Sequence, residues 1–502
     1  MEKDRELNLV EIIGIKMFAE FSTELRKIVS QQGTLDTLLR EIDDAKQLHR
    51  DQKRELKNFM SRTLNFNHLK PVDSMATSRL VSDDIWIDVT HTIDFPHTSG
   101  VQRVVRSMAW ALNKEPKVKF VRFAHELRAY RYLDQDEINH LLRLHSSVDS
   151  EGVSRWSLKR FLISNAKRNL KKLLPEELYN IVIAGYRVIL LTLRSRSKRQ
   201  YLIPVPAGNI VIVPEVVGVP RRIEWMGMYA RAGLLRFVPI FFDIIPLKRP
   251  DLAVFGDDFA KYLEVFHFAE KVSCISESVR EDLIKYLKLV DNEKLIAKTK
   301  CHLLGCEPDD FVSATAVTTP SDNRKSLLCV GTIEKRKNQL MIVRSLEHLK
   351  DLASQFKLVF VGNDGPAYAE FSKEIEKVKK MGFDVEVHLS VTEKLLKEAY
   401  SKCYATLFCS LEEGFGLPIL ESRSHGKVCL TSDKGSMKEI GMKTGSCLFA
   451  APESTESIAM GIREIVTDGA KFKEAKLSLS QPLNWPTWQQ YSRELLKFAR
   501  EQ

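Results

Sequence analysis

Two glutamates eight positions apart, Glu413 and Glu421, bracket the run Glu413-Gly-Phe-Gly-Leu-Pro-Ile-Leu-Glu421. An apolar stretch, Ala405-Thr-Leu-Phe-Cys409, precedes it and reads as a buried strand. Leu420-Glu-Ser-Arg-Ser-His425 follows and can continue as a helix. A strand, a glycine-rich turn and a helix N-terminus together offer unpaired backbone N–H groups to an anion or a sugar. Glycine lets the backbone come close to such a ligand. The spacing alone favours a plain strand-to-helix turn with two incidental surface glutamates, and the neighbouring residues overturn that reading.

A second group of chemistry-bearing residues lies upstream. Gly331-Thr-Ile-Glu-Lys-Arg-Lys-Asn338 follows another apolar run and delivers Arg336 and Lys337 to a helix start. Two cations there suit a diphosphate, the guanidinium through forked hydrogen bonds and the ammonium as a point charge. In isolation the same residues make a solvated basic turn. Val361-Gly-Asn-Asp-Gly-Pro366 is a further glycine turn, expected to shape the wall of a cleft rather than touch ligand. Ser432-Asp-Lys-Gly-Ser-Met-Lys-Glu439 is another polar turn after a strand. No metal site is expected. The pair Asp134-Gln-Asp136 lies in a polar helical stretch away from strand ends, and the histidines lack ligand spacing.

These turns need elements to carry them. From residue 84 onward strands and helices alternate, with strands expected at 85–89, 118–123, 210–214, 237–245 and 272–275. A helix opens on Gly100 and runs to Leu112. A second series starts at Ser326, with strands at 327–330, 357–361, 385–389, 405–409, 428–431 and 447–449. The stretch from Val391 to Tyr400 reads as an N-capped helix. Repeated β–α units predict parallel, doubly wound sheets, hence two Rossmann-like domains facing one cleft, with ligands beyond the strands' carboxyl ends. The expected division is a helical extension over 1–70, a linker over 71–83 and a first domain over 84–306. An interdomain linker over 307–325, a second domain over 326–484 and a crossover helix over 485–502 complete it.

The first 70 residues carry apolar side chains at helical spacing, with Ile12, Ile13, Met17, Phe21, Leu25 and Ile28 on one stripe. Self-association, binding to a neighbour, or membrane contact would each use such helices. The chain has 502 residues, 44% apolar and 28% charged, and a net charge of +10. That composition is globular. Residues 155–200 hold twelve Lys or Arg against two Glu, so this segment carries the net charge and the rest is near neutral. Such a basic insertion, interleaved with Trp156, Phe161, Leu162 and Ile163, suits an anionic lipid surface or a lipid diphosphate. It lacks a nucleic-acid motif, and no nucleic-acid partner is expected. The eight cysteines form no Cys-x-x-Cys pair and mostly sit in apolar runs, which predicts buried thiols in a reducing compartment. The charged start and the want of a long apolar run lead to the expectation of a cytoplasmic chain, peripheral on the inner face of the cell membrane.

Four polar turns in order after successive strands carry a specific resemblance. The stretches 330–338, 361–365, 410–421 and 432–439 resemble the nucleotide-sugar half of family 4 glycosyltransferases, which have the two-domain GT-B fold. The likeness runs from about residue 84 to 500 and is strongest from 326 to 450. It implies that Lys337, helped by Arg336, holds a donor diphosphate. It implies that Glu421 accepts from the ribose hydroxyls and that Glu413 sits against the donor sugar. The backbone amides of Phe415, Gly416 and Leu417 would approach phosphate and sugar. More loosely, Ser99-Gly100 resembles the glycine turn of the acceptor side, and Phe241-Phe-Asp-Ile-Ile-Pro246 a stretch that in many relatives has His before Asp. Phe242 stands where that His would be, leaving Asp243 as the polar candidate, and Thr332 stands where many relatives carry Arg.

The resemblance implies retaining transfer of a hexose from a nucleotide diphosphate sugar to a glycan or polyprenyl-diphosphate-linked acceptor, without metal or other cofactor. The variant at 330–338 is similar to bacterial mannosyl- and rhamnosyltransferases of surface polysaccharide assembly, which points the donor toward GDP-mannose. The alternative is a non-catalytic scaffold of a glycan-assembly complex built on a decayed transferase fold.

Overall fold

A computed structural model of the chain describes residues 80–81, 84–94, 99–124, 129–142, 205–206, 208–252, 256–306 and 324–501. The expected helical extension 1–70 and basic insertion 155–200 lie outside the described residues, as do most of the two expected linkers. Two compact units are present. One comprises residues 1–239, 261–271 and 499–502, the other 240–260 and 272–498. The division falls inside the strand Leu235–Phe241.

In the first unit the strand order is Ala129–Tyr132, Val118–Ala124, Ile85–Asp88, Asn209–Val213 and then Leu235–Phe241. All neighbours are parallel except Ala129–Tyr132, which runs antiparallel to its partner with Val121 opposite Tyr132. An all-parallel sheet was expected. The exception is the short edge strand Ala129–Tyr132, which begins five residues after Ala124, a separation too short for the crossover that a parallel pair needs. The strand expected over 237–245 ends at Phe241, because Pro246 favours the first turn of the short helix Ile245–Lys248. The helix Gly100–Leu112 has the expected bounds. Ser99 caps it, with Gln102 returning a bond to the Ser99 N–H at 2.9 Å. Asp134 accepts from the Glu137 N–H at 2.9 Å at the start of Gln135–Leu141, so half of the Asp134/Asp136 pair is occupied in capping.

In the second unit six parallel strands lie in the order Asp384–Leu389, Phe356–Gly362, Lys325–Val330, Ala405–Phe408, Val428–Ser432, Cys447–Ala450. In chain order this is 3-2-1-4-5-6, the doubly wound arrangement. Ala405–Phe408 and Val428–Ser432 are buried along their whole length, hence on both faces. Leu327, Leu358, Leu407 and Leu430 belong to the core together with Phe360 and Phe371, whose rings meet edge to face at 4.9 Å and 82°. Leu328, Val361, Tyr400 and Cys403 form a smaller cluster. Order reverses between the strands 325–330 and 405–408. Ligands of open α/β sheets bind beyond the carboxyl ends of strands at that reversal. Residues 331–338 and 409–417 are the segments that emerge there.

Candidate active site

Glycines bring the strand-end loops of the second unit together. Gly331 has φ +141°, outside the comfortable range of other residues. A Cβ on Gly362 would lie 1.9 Å from the Gly331 carbonyl oxygen, and one on Gly365 would lie 2.3 Å from that of Ile333. The expected wall role of the 361–366 turn thus has a physical form: its glycines allow the 331–333 backbone to press against it. Asn338 follows in the left-handed conformation at φ 61°. Its side-chain N–H donates to the carbonyls of Cys409 at 2.9 Å and Pro452 at 2.7 Å. The Leu411 N–H donates to the Arg336 carbonyl at 2.8 Å. The cation turn, a single 3-10 turn over Lys335–Lys337, is therefore tied to the glutamate loop.

This brings three charged groups into one cluster. Arg336 Nη1 lies 2.5 Å from Glu413 Oε2, and Lys337 Nζ lies 2.7 Å from Glu413 Oε1. Lys337 also lies 4.8 Å above the centre of the Phe408 ring. Both carboxylate oxygens of Glu413 are thus engaged by a cation, Oε2 by Arg336 and Oε1 by Lys337. Burial pushes the Glu413 carboxyl up, while Lys337 and Arg336 pull it down and win, leaving it below the usual carboxylate range. Arg336 also reaches Glu334 at 2.7 Å.

The sign of that shift sets a pH dependence. A carboxyl with depressed folded-state pKa adds stability above its usual value near 4.5 and loses it as pH falls through the lower folded value. Thermal unfolding of the wild type and of Glu413→Gln, followed from pH 6 to pH 3, should show a gap in Tm that narrows below about pH 4.5. A gap independent of pH would show that Glu413 contributes no charge-dependent stability.

Asp243 joins the same cluster. Its Oδ1 accepts from the Ile245 N–H at 3.1 Å, and its Cβ and the Phe242 carbonyl lie against Gly414. Burial raises the Asp243 carboxyl above its usual range; Ile245 and Arg336 oppose this, and Glu413 and Glu412 add to it. The carbonyls of the glutamate loop are held by hydroxyls from distant segments. Ser276 Oγ donates to Gly414 O at 2.9 Å, Ser436 Oγ to Glu413 O at 2.7 Å and Ser432 Oγ to Ser410 O at 2.5 Å. Sequence reasoning missed Ser276, Ser432 and Ser436 as holders of this loop; their one signal was a serine at or just after a strand end.

Gly416 caps the helix Leu417–Ser424 at φ 99°, with Pro418 in the first turn. A Cβ there would be strained by that φ and would press Ile419 Cδ1 at 3.1 Å. Among the described residues the N–H groups of Phe415, Gly416 and Leu417 have no protein acceptor. The Phe415 ring is buried edge-on to Trp485 at 6.3 Å, so only its backbone is available. Glu421 lies on the same helix, and its Oε2 accepts from the Tyr400 hydroxyl at 2.6 Å. Gly100 belongs to the first unit, at the start of its helix. Among the described residues no group of three His, Cys, Asp or Glu is placed to hold a metal ion. None of the described helices is long and apolar enough to cross a membrane. All eight cysteines are free thiols.

Residues 314–478 match the family described as Glycosyl transferases group 1. The serotype-specific mannosyltransferase WbdA of Escherichia coli is 26% identical over 272 residues, covering 51% of this chain and 32% of WbdA. The lipopolysaccharide 1,2-N-acetylglucosaminetransferase of Salmonella typhimurium is 26% identical over 223 residues, 41% of this chain and 57% of that protein. The chain thus spans about a third of the first relative's length and somewhat over half of the second's. Among solved structures, Anabaena HepE in complex with UDP superposes with a TM-score of 0.51 at 13% identity, over 83% of this chain and 98% of HepE. That likeness shows the fold, two Rossmann-like α/β domains of the GT-B type, and residues 314–478 resemble group 1 glycosyl transferases.

Proposed function

We propose that this chain is a retaining glycosyltransferase that moves a hexose from a nucleotide diphosphate sugar to a hydroxyl of a growing surface polysaccharide. The observation that carries the reading is the cluster of Arg336, Lys337 and Glu413 at the order reversal of a doubly wound sheet, with unpaired backbone N–H groups beside it. The group 1 family match and the two relatives support it. The donor sugar is mannose carried on GDP, a choice supported by the WbdA likeness. The acceptor is a glycan on a polyprenyl diphosphate, a choice supported by the basic stretch 155–200.

In this reading Lys337 and Arg336 hold the diphosphate, and the amides of Phe415, Gly416 and Leu417 complete the anion site at the helix start. Glu413 takes the donor-sugar hydroxyls and Glu421 the ribose hydroxyls. Asp243 lies beside Glu413 as a second carboxyl for the reacting sugar. The bond from the sugar's anomeric carbon to the diphosphate oxygen breaks, and negative charge grows on the leaving diphosphate. The cations and amides stabilise that charge, which removes the need for a divalent metal. The incoming hydroxyl bonds to the anomeric carbon on the same face and gives its proton to the departing phosphate oxygen.

A panel of nucleotide sugars tests this, read out by transfer to a lipid-linked glycan and by donor hydrolysis. Lys337→Ala should lower kcat/KM for the accepted donor by roughly 10²–10³. The accepted nucleotide should raise Tm, since a ligand at a hundred times its Kd stabilises by about 2.7 kcal/mol. No turnover of any nucleotide sugar by the wild type, or wild-type turnover by Lys337→Ala, would overturn the assignment.

A further inference from the structure

We infer that Tyr400 is a positioning residue that sets the rotamer of Glu421 and thereby makes the site select ribonucleotides over deoxyribonucleotides. The inference rests on the ribose role given to Glu421 above. Its observations are independent of that role. The Tyr400 hydroxyl donates to Glu421 Oε2 at 2.6 Å, a hydrogen bond to a carboxylate and therefore among the stronger kinds. The Tyr400 side chain is itself immobilised. It is 2% exposed, packed with Leu328, Val361 and Cys403 in the smaller core cluster. Its ring stacks on the imidazole of His425, with centroids 4.9 Å apart and planes 8° from parallel. His425 caps the same helix one turn beyond Glu421, and its N–H donates to the Glu421 carbonyl at 3.1 Å.

The geometry is that of a fixed hand holding a movable one. A glutamate side chain has three rotatable bonds and loses rotamer freedom when a ligand orders it. Tyr400 reaches in from a different helix, Glu393–Lys402, and its phenol meets the carboxylate at one oxygen. The carboxylate plane is then set before any nucleotide arrives, and a pair of neighbouring hydroxyls meets an oriented acceptor. A phenol is suited to this because it adds direction without adding charge beside the diphosphate. Phenylalanine would fill the same core space and stack on His425 equally well, so the hydroxyl that donates to Glu421 is what distinguishes tyrosine at this position.

Nucleotide binding tests the inference by calorimetry on the full chain. The probes are GDP and UDP and their 2′,3′-dideoxy counterparts. Tyr400→Phe keeps the ring and should weaken binding of the accepted ribonucleotide roughly tenfold. It should leave the dideoxy nucleotide unchanged, so the ribo-to-dideoxy ratio shrinks by the same factor. In a Glu421→Gln background, which itself loses most of the ratio, Tyr400→Phe should add little. His425→Ala, which keeps the hydroxyl and removes the stacked ring, should reduce the ratio less, and it serves as the readout if Tyr400→Phe fails to fold. Equal weakening of both nucleotides, or no change in the ratio with either variant, overturns the inference. If wild type binds neither nucleotide, the functional reading falls and the inference with it. If Glu421→Gln loses the ratio while Tyr400→Phe keeps it, the ribose role stands and Tyr400 has none.

Discussion

Gly414→Ala should fold and should lose about a hundredfold in transfer. A Cβ at this position would lie 2.0 Å from the Phe242 carbonyl oxygen and 3.2 Å from the Asp243 Cβ. The first of these neighbours is backbone, so no rotamer change relieves it. The Gly414 carbonyl is itself held by Ser276, a residue with no exposure at all, which restrains movement in the other direction. One of the two loops must therefore shift by about an ångström, and a displacement of that size in a reacting site costs on the order of 10²-fold. The core strands lie below the clash and are untouched by it. Steady-state kinetics with the accepted nucleotide sugar, beside a Tm within a few degrees of wild type, is the check. Activity within threefold of wild type would show that the contact between residues 242–243 and the glutamate loop is dispensable.

Glu413→Gln should have opposite effects on binding and on transfer. In the unliganded chain the Glu413 carboxylate engages both Arg336 and Lys337. A donor diphosphate needs those same cations, so the carboxylate competes with it until a sugar arrives to occupy the carboxylate instead. Glutamine keeps the shape and removes the charge. Free nucleoside diphosphate should then bind several-fold more tightly, because no anion has to be displaced. Sugar transfer should fall by roughly 10²–10³, the usual cost of one preorganised electrostatic contact. The two cations remain partly exposed, at 24% and 17% of their side chains, so hydration softens the loss of their partner and the fold survives. Calorimetry with the nucleoside diphosphate and kinetics with the nucleotide sugar separate the two effects. Weaker nucleotide binding by the variant would mean that the carboxylate organises the cations rather than competing for them.

Both variants probe a site whose parts were legible to different degrees. The strands of the second unit and the turns after them could be read from apolar runs punctuated by glycine, because both signals act over a few residues. Arg336, Lys337 and Glu413 stood out as charged groups at strand ends, and the structure brings them together. Asp243 was nominated from a looser likeness, and its place beside Glu413 depends on Gly414 having no side chain. Where the reading went astray, a local rule was outweighed by another. The strand expected through residue 245 stops at Phe241, where Pro246 prefers a helical first turn. The antiparallel edge strand Ala129–Tyr132 was overlooked because four residues carry too little pattern to separate from a loop.

The amino-acid order settled the six parallel strands of the second unit and where each polar turn after them falls, since periodicity and glycine placement are local properties. It could not settle strand order. The 3-2-1-4-5-6 arrangement, which sets the Gly331 turn beside the Glu413 loop, follows from how six apolar strands share one core. Nor could it join Ser276 to Gly414 across 138 positions, or Tyr400 to Glu421 across 21. Those bonds form because packed helices and strands bring distant hydroxyls within 3 Å of particular oxygens, a distance that tertiary packing alone decides.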